Sequence, residues 1–235
     1  MLIVADTSRY GAVLFDLDGT LLDTVPDLAY AANRMLAELG RPSLSDALIA
    51  TFVGRGIPKL VERALSGSAN ASVPSGTLRT GLDIFERCYA EESGRRSACY
   101  PGVLKGLESL ADAGIPMGVV TNKASRFTHD LLERMRLRHY FAVVVSGDTL
   151  REKKPDPAPV RHACEQIGVA PSGALFIGDS RHDVAAGHAA GCAVWCVPYG
   201  YNEGESIGSL GCDRVVPNLA VAAGWILGEG VTDRI

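Results

Sequence analysis

The chain has 235 residues, of which 47% are hydrophobic, 21% charged and 6% aromatic, so it can bury a large core. Its 23 basic and 27 acidic residues leave a net charge of −4, which does not favour nucleic acid as a partner. No apolar stretch approaches the roughly 20 residues of a membrane-spanning helix, and the opening MLIVADTSRY lacks signal-peptide features. We therefore expect a cytoplasmic protein, built as one large domain or as one core with a smaller insertion, that binds neither nucleic acid nor membrane.

The first predicted element is a buried strand at residues 12–15, an apolar run that ends in Asp-Leu-Asp-Gly-Thr. An amphipathic helix follows, with Asp23 or Thr24 as its cap and apolar residues at helical spacing as far as Gly40. The helical pattern then continues to about residue 93. The expected helices are 45 to about 52, 58–65 and 78–92. A break is expected at residues 54–56, and small and polar residues predict a surface loop at 64–74.

After residue 102 the pattern changes to alternating strands and helices. The predicted strands are residues 117–121, 142–146, 174–177, 193–197 and 214–216. Repeated βα units with right-handed crossovers form a parallel sheet that helices cover on both faces. We therefore predict a doubly wound α/β fold, with the helical block inserted after the first strand.

The six cysteines include no CxxC pair and are expected to be reduced, mostly buried thiols. His188, Cys192 and Cys196 could suggest a metal site. Because residues 192–197 are predicted to form a buried strand, we interpret these two cysteines as packing residues instead.

Four polar groups follow predicted strands, and ligands of open α/β sheets bind at the carboxyl ends of the strands. Asp16 and Asp18 come first and share one side of an extended chain. Thr121 and Asn122 could hydrogen-bond an oxyanion, although the same pair also caps helices. Lys154 is followed by a proline-rich helix start that would fix its direction, although a solvated lysine is the alternative.

The fourth group contains Asp179 and Asp183, whose carboxylates could face one point across a strand-to-helix turn. With Asp16 and Asp18 they would form a site of four carboxylates, which would repel one another without a cation. Such oxygen ligands favour Mg²⁺, which also binds phosphate oxygens. These residues predict a magnesium site for phosphoryl transfer, and an Asp nucleophile that forms an aspartyl-phosphate fits it.

These motifs resemble those of the haloacid dehalogenase superfamily and, within it, the phosphoglycolate phosphatase-like branch. The resemblance extends over nearly the whole chain and rests on FDLDGTLLDT, VVTNK, KKPDPAP and GDSRHD. It implies a Rossmann-like core, residues 1–22 and 97–235, with an inserted all-helical cap domain, residues 23–96, that selects the substrate. The implied activity is Mg²⁺-dependent hydrolysis of a small phosphorylated metabolite, with 2-phosphoglycolate as the leading substrate. A monomer and a homodimer are equally compatible with the sequence.

The resemblance also implies roles for single residues. Asp16 would attack phosphorus, and Asp18 would protonate the leaving alkoxide and then activate water. Thr121 and Lys154 would hold the transferring group. Lys153 is the adjacent alternative, but the lysine directly before the proline is the usual one in this family.

The same resemblance implies the metal ligands and the substrate contacts. Mg²⁺ would be bound by the side chains of Asp16 and Asp179, by the backbone carbonyl of Asp18, and by Asp183 directly or through water. Gly19, Thr20 and Asn122 would bind substrate, with Asn122 in contact with the phosphate. We further hypothesise that Arg55 pairs with a substrate carboxylate or phosphate.

Two residues depart from the branch, which often has Asn at the positions of Arg55 and His182, and no role is assigned to His182. The alternative functions are a sugar phosphate phosphatase, a β-phosphoglucomutase-like phosphomutase, a 2-haloacid dehalogenase and a catalytically silent binding protein. A phosphomutase would share all four motifs. A dehalogenase would need neither Mg²⁺ nor the acid at Asp18.

Overall fold

The computed structural model describes residues 10–70 and 72–228. The termini of the expected core, residues 1–9 and 229–235, and residue 71 of the expected surface loop lie outside the described residues. Within the described ranges, no helix is both long and apolar enough to cross a lipid bilayer.

The elements are numbered in chain order. The strands are β1 (Ala12–Phe15), β2 (Leu22–Asp23), β3 (Ala98–Cys99), β4 (Met117–Val120), β5 (Val143–Val145), β6 (Ala174–Gly178), β7 (Ala193–Cys196) and β8 (Arg214–Val215). The α-helices are α1 (Val25–Glu38), α2 (Asp46–Ala50), α3 (Ile57–Ser66), α4 (Ser75–Glu92), α5 (Val103–Asp112), α6 (Ser125–Arg134), α7 (Ala158–Ile167), α8 (Arg181–Ala190) and α9 (Leu219–Ile226).

Six strands form one parallel sheet in the order β5-β4-β1-β6-β7-β8. Alternate residues of a strand point to opposite faces, so Val13 and Phe15 pack with α5, α6 and α9. Leu14 packs on the other face with α7 and α8. Each of these strands was predicted to within one residue at either end, and the doubly wound, Rossmann-like α/β core is confirmed.

Helices α1 to α4, the helical unit, pack around a separate apolar cluster that includes Met35, Leu60 and Phe85. The end of α3 differs from the expected loop, and the structure adds a short ribbon. Residues 64–66 are the last turn of α3 and not part of a loop. The helix continues to Ser66 and ends there because Gly67 adopts φ 66°. The antiparallel ribbon of β2 and β3 was not predicted, since two-residue strands leave no periodic pattern. The division into core and cap stays a prediction.

Asp27 ties together the two chain segments that connect the helical unit to the sheet. Its carboxylate is fully buried and accepts hydrogen bonds from the backbone N–H of Gly94 at 2.7 Å, Arg96 at 2.7 Å and Ser97 at 3.2 Å. The Ser97 hydroxyl donates to it as well. The first turn of α1 is therefore joined to the segment that leads into β3.

We predict that Asp27→Asn lowers the free energy of unfolding by about 2 kcal/mol, because an amide group cannot accept from all these buried donors. Urea denaturation of the variant and the wild type measures the change. Asp46→Asn is the matched control, since Asp46 is an exposed aspartate in the first turn of α2. Equal stability losses in the two variants would contradict the assigned role of Asp27.

Candidate active site

The polar groups predicted at the strand ends, apart from Asp179, line one cavity between the sheet and the helical unit. The core contributes a polar floor of Asp16, Asp18, Thr121, Asn122, Lys123, Lys154, Ser180, His182 and Asp183. The helical unit and its loops contribute Leu28, Val53, Gly54, Gly56, Ile57 and Leu60. A polar site is thus covered by a largely apolar roof.

Asp16, Asp179 and Asp183 form a buried acidic cluster, in which one carboxylate oxygen of each lies within 4.8 Å of the others. The Nζ of Lys154 donates to Asp16 Oδ1 at 2.7 Å, to Asp183 Oδ1 at 2.6 Å and to the carbonyl of Val120 at 2.7 Å. Lys154 is buried, whereas its neighbour Lys153 is exposed. The cluster therefore holds three carboxylates around one ammonium group.

One positive charge does not balance this cluster. Burial raises the pKa of Asp16 well above its ordinary value, against the opposing effect of Lys154. Burial and the charge of Asp183 raise the pKa of Asp179 to about 7. Burial also acts to raise the pKa of Asp183, but Lys154 and Ser180 outweigh it and the pKa is lowered. A cation among these oxygens would offset both burial and repulsion, so the donor set fits a metal ion.

Gly19 and Thr20 contact Asp179 and do not line the cavity. The Thr20 hydroxyl donates to Asp179 Oδ1 at 3.0 Å, and the Tyr201 N–H donates to Oδ2 at 2.8 Å. Gly19 adopts φ 90°, and a Cβ there would lie 2.4 Å from Asp179 Oδ2. Of these two residues, both predicted to bind substrate, Thr20 thus holds an acid of the cluster in position and Gly19 leaves room for it.

Lys123, which received no role from the sequence, is buried and forms an ion pair with the partly buried Asp18. Its Nζ lies 3.0 Å from Asp18 Oδ1 and 3.2 Å from Oδ2, and 4.9 Å from the centre of the Tyr89 ring in α4. Burial lowers the pKa of Lys123, but Asp18 and Tyr89 outweigh this, so the pKa is raised. The Thr24 hydroxyl also donates to Asp18 Oδ1, at 2.7 Å. The lysine therefore carries a charge inside the cavity.

Asn122 is occupied by backbone contacts. Its Nδ2 donates to the carbonyl of Gly54 at 2.9 Å and to that of Lys154 at 3.0 Å, which uses both amide hydrogens. The side-chain amide thus fastens the loop around Gly54 to the core, in place of the expected donation to a phosphate. The Thr121 hydroxyl accepts from the Lys123 N–H at 3.2 Å, and its own proton is free to donate to a ligand.

Arg55 does not line the cavity, contrary to what its hypothesised role requires. Its Nε and Nη2 each lie 2.9 Å from the carboxylate of Glu203. Glu203 also pairs with Arg63 Nη1 at 2.7 Å, and His182 Nε2 lies 3.4 Å from it. Glu203, which was not singled out from the sequence, therefore neutralises the charge expected to face substrate and bridges the helical unit to the core.

Comparison with known proteins gives consistent matches over most of the chain. The model of the haloacid dehalogenase-like hydrolase family matches residues 13–197. The chain is 49% identical over 208 residues to the phosphoglycolate phosphatase of Nitrosospira multiformis, covering 88% of this chain and 92% of that one. It is 48% identical over 212 residues to that of Thiobacillus denitrificans, covering 90% and 93%. The crystal structure of a predicted phosphoglycolate phosphatase from Haemophilus somnus 129PT superposes with a TM-score of 0.86 at 34% identity, covering 91% and 96%.

We predict that Glu203→Gln lowers the free energy of unfolding by about 3 kcal/mol at pH 7, since it leaves the charge of Arg63 buried without a negatively charged partner. Arg63 is only 4% exposed. Urea denaturation measures the loss. The neighbouring Glu205→Gln is the control, because Glu205 pairs with Arg181 at the exposed surface and should contribute below about 1 kcal/mol.

The stability difference between wild type and Glu203→Gln should also depend on pH. Burial acts to raise the pKa of Glu203, but Arg55 and Arg63 lower it from 4.5 to about 2. The stabilisation is therefore complete above about pH 4.5 and is lost as the pH falls towards 2. A difference that stays constant from pH 6 to pH 2.5 would contradict this ion-pair assignment.

Proposed function

Because this chain belongs to the haloacid dehalogenase-like hydrolase family, we propose that it is a metal-dependent phosphatase that hydrolyses 2-phosphoglycolate to glycolate and phosphate. The substrate is inferred from the phosphoglycolate phosphatases to which nearly nine-tenths of the chain aligns. One observation carries the chemistry: Asp16, Asp18 and Lys154 line the same cavity, and Lys154 pairs with Asp16 of the buried acidic cluster.

In the proposed reaction, a carboxylate oxygen of Asp16 attacks phosphorus as the bond from phosphorus to the ester oxygen breaks, which forms an aspartyl-phosphate. Lys154, at 2.7 Å from Asp16 Oδ1, orients the nucleophile and balances part of the negative charge. The free proton of the Thr121 hydroxyl is suited to a phosphoryl oxygen. These three residues come from the ends of different strands or the loops that follow them, so the fold alone holds them together.

Asp18 gives its proton to the leaving alkoxide in the first step and takes one from the attacking water in the second. Water attack then cleaves the bond between Asp16 and phosphorus and releases inorganic phosphate. The ion pair with Lys123 and the hydrogen bond from Thr24 hold the ionised Asp18 carboxylate in one orientation, which suits it to take the proton from the attacking water in the second step.

We propose Mg²⁺ as the metal, because the donors are carboxylate oxygens and the site also has to accommodate a phosphate. Its ligands would be the side chains of Asp16 and Asp179, the backbone carbonyl of Asp18, and Asp183 directly or through water. When bound, the ion supplies positive charge to the phosphate oxygens. Thr20, Tyr201 and Gly19 support the site by positioning Asp179.

Residues 23–96 are proposed to act as the cap of a core formed by residues 1–22 and 97–235. The apolar side chains of Leu28, Val53, Ile57 and Leu60 face the polar floor and would exclude water from the reacting groups. We propose a cytoplasmic location, which the six free cysteines of the described chain support.

The test measures phosphate release from 2-phosphoglycolate, sugar phosphates and nucleotides, with Mg²⁺ and with EDTA. We expect Mg²⁺-dependent turnover that is fastest with 2-phosphoglycolate. Asp16→Asn should lower kcat by roughly 10⁴-fold or more, since it removes the nucleophile. Asp46→Asn is the matched control and should retain turnover.

The outcomes separate the competing functions. Release mainly from a sugar phosphate would support the proposed reaction but contradict 2-phosphoglycolate as the substrate. Turnover that requires a sugar bisphosphate would indicate a phosphomutase. No release above the Asp16→Asn background from any ester would overturn the proposal and favour a silent binding protein.

A further inference from the structure

Two lysines line the cavity, and they differ in how many of their N–H donors are bonded to other groups of the protein. The ammonium group of a lysine has three N–H donors. Those of Lys154 have three acceptors, on Asp16, Asp183 and the carbonyl of Val120. Lys123 donates to the two oxygens of a single carboxylate, Asp18, and among the described residues it otherwise meets only the face of the Tyr89 ring. Lys123 therefore keeps donor capacity for a ligand in the cavity.

The other basic residues nearby do not compete for this role. Arg55 and Arg63 do not line the cavity, and both pair with Glu203. His182 does line it, but its Nε2 lies 3.4 Å from the carboxylate of Glu203. Among the described residues that line the cavity, Lys123 is thus the cation with capacity for a second anionic group of a substrate.

The position of Lys123 relative to Asp18 suits the carboxylate of 2-phosphoglycolate. If Asp18 protonates the leaving group, the ester oxygen lies within hydrogen-bond distance of the Asp18 carboxylate. In 2-phosphoglycolate a single CH₂ separates that oxygen from the carboxylate carbon, so the carboxylate oxygens lie about 3 Å from the ester oxygen. The distance from Lys123 Nζ to Asp18 Oδ1, 3.0 Å, is similar to this distance between the ester oxygen and the carboxylate oxygens.

We propose that Lys123 is the specificity-determining residue that pairs with the carboxylate of the substrate while it keeps its contact with Asp18. The inference rests on the proposed function and deepens it. It assigns the recognition of the acidic end of the substrate to the core strand β4 and its following loop, and not to Arg55 of the helical unit. Tyr89 of α4 covers the lysine, so the helical unit contributes by keeping water from this pair.

The test compares kcat/KM for 2-phosphoglycolate and for 2-hydroxyethyl phosphate, in which CH₂OH replaces the carboxylate. The ratio of the two values should fall by about 10- to 100-fold in Lys123→Gln, because one charge-assisted contact is lost with one substrate only. Lys105→Gln removes an exposed lysine of α5 and is the control for charge, with an unchanged ratio. Lys123→Met, which keeps an unbranched apolar chain beneath Tyr89, gives the same test if the glutamine variant does not fold.

The results distinguish this inference from the proposed function. A wild-type enzyme that does not hydrolyse 2-phosphoglycolate overturns the proposed function and the inference with it. If the wild type is active and Lys123→Gln lowers kcat/KM equally for both substrates, only the inference is overturned, because Lys123 then acts through Asp18 alone. A selective loss with 2-phosphoglycolate supports it.

Discussion

The buried contact of Lys154 with Asp16 and Asp183 is the constraint on which the site depends. Three carboxylates have been removed from water to within 4.8 Å of one another, with one ammonium group among them. Such an arrangement is costly unless every charge is held by partners and the remaining negative charge meets a cation. Hence Asp179 is held by a hydroxyl and a backbone N–H, and the cluster is suited to a metal ion.

The helical unit is joined to this site by polar contacts at separate places, and this determines what covers the reacting groups. Asn122 fastens the loop at Gly54, Lys123 lies beneath Tyr89 of α4, and Glu203 binds two arginines of the helical unit. These contacts place apolar side chains over a polar floor. The proposed substrate, with a small body and two anionic ends, would match that division, because its charges would face the core.

Much of the architecture was predictable because it follows from local patterns. The parallel strands are short apolar runs followed by polar residues, and the helices of the inserted block have apolar residues at helical spacing. Asp16, Asp18, Thr121 and Lys154 were recognisable because each follows a strand, or leads into a helix, at the edge where parallel sheets bind ligands. Lys123 directly follows Thr121 and Asn122 at the end of such a strand. It gave a signal of the same kind, but no role was assigned to it.

The sequence by itself thus determined the α/β core, the inserted helices and the acidic composition of the site, since periodicity and strand ends are properties of neighbouring residues. The tertiary structure decided which partner each charged group meets. Arg55 pairs with Glu203, 148 residues away, and Lys123 with Asp18, 105 residues away. Only folding of the chain brings such residues together, and no local sequence pattern predicts the distance between them in space. For this reason an arginine expected at the substrate lies outside the cavity, and a lysine without an assigned role lies inside it.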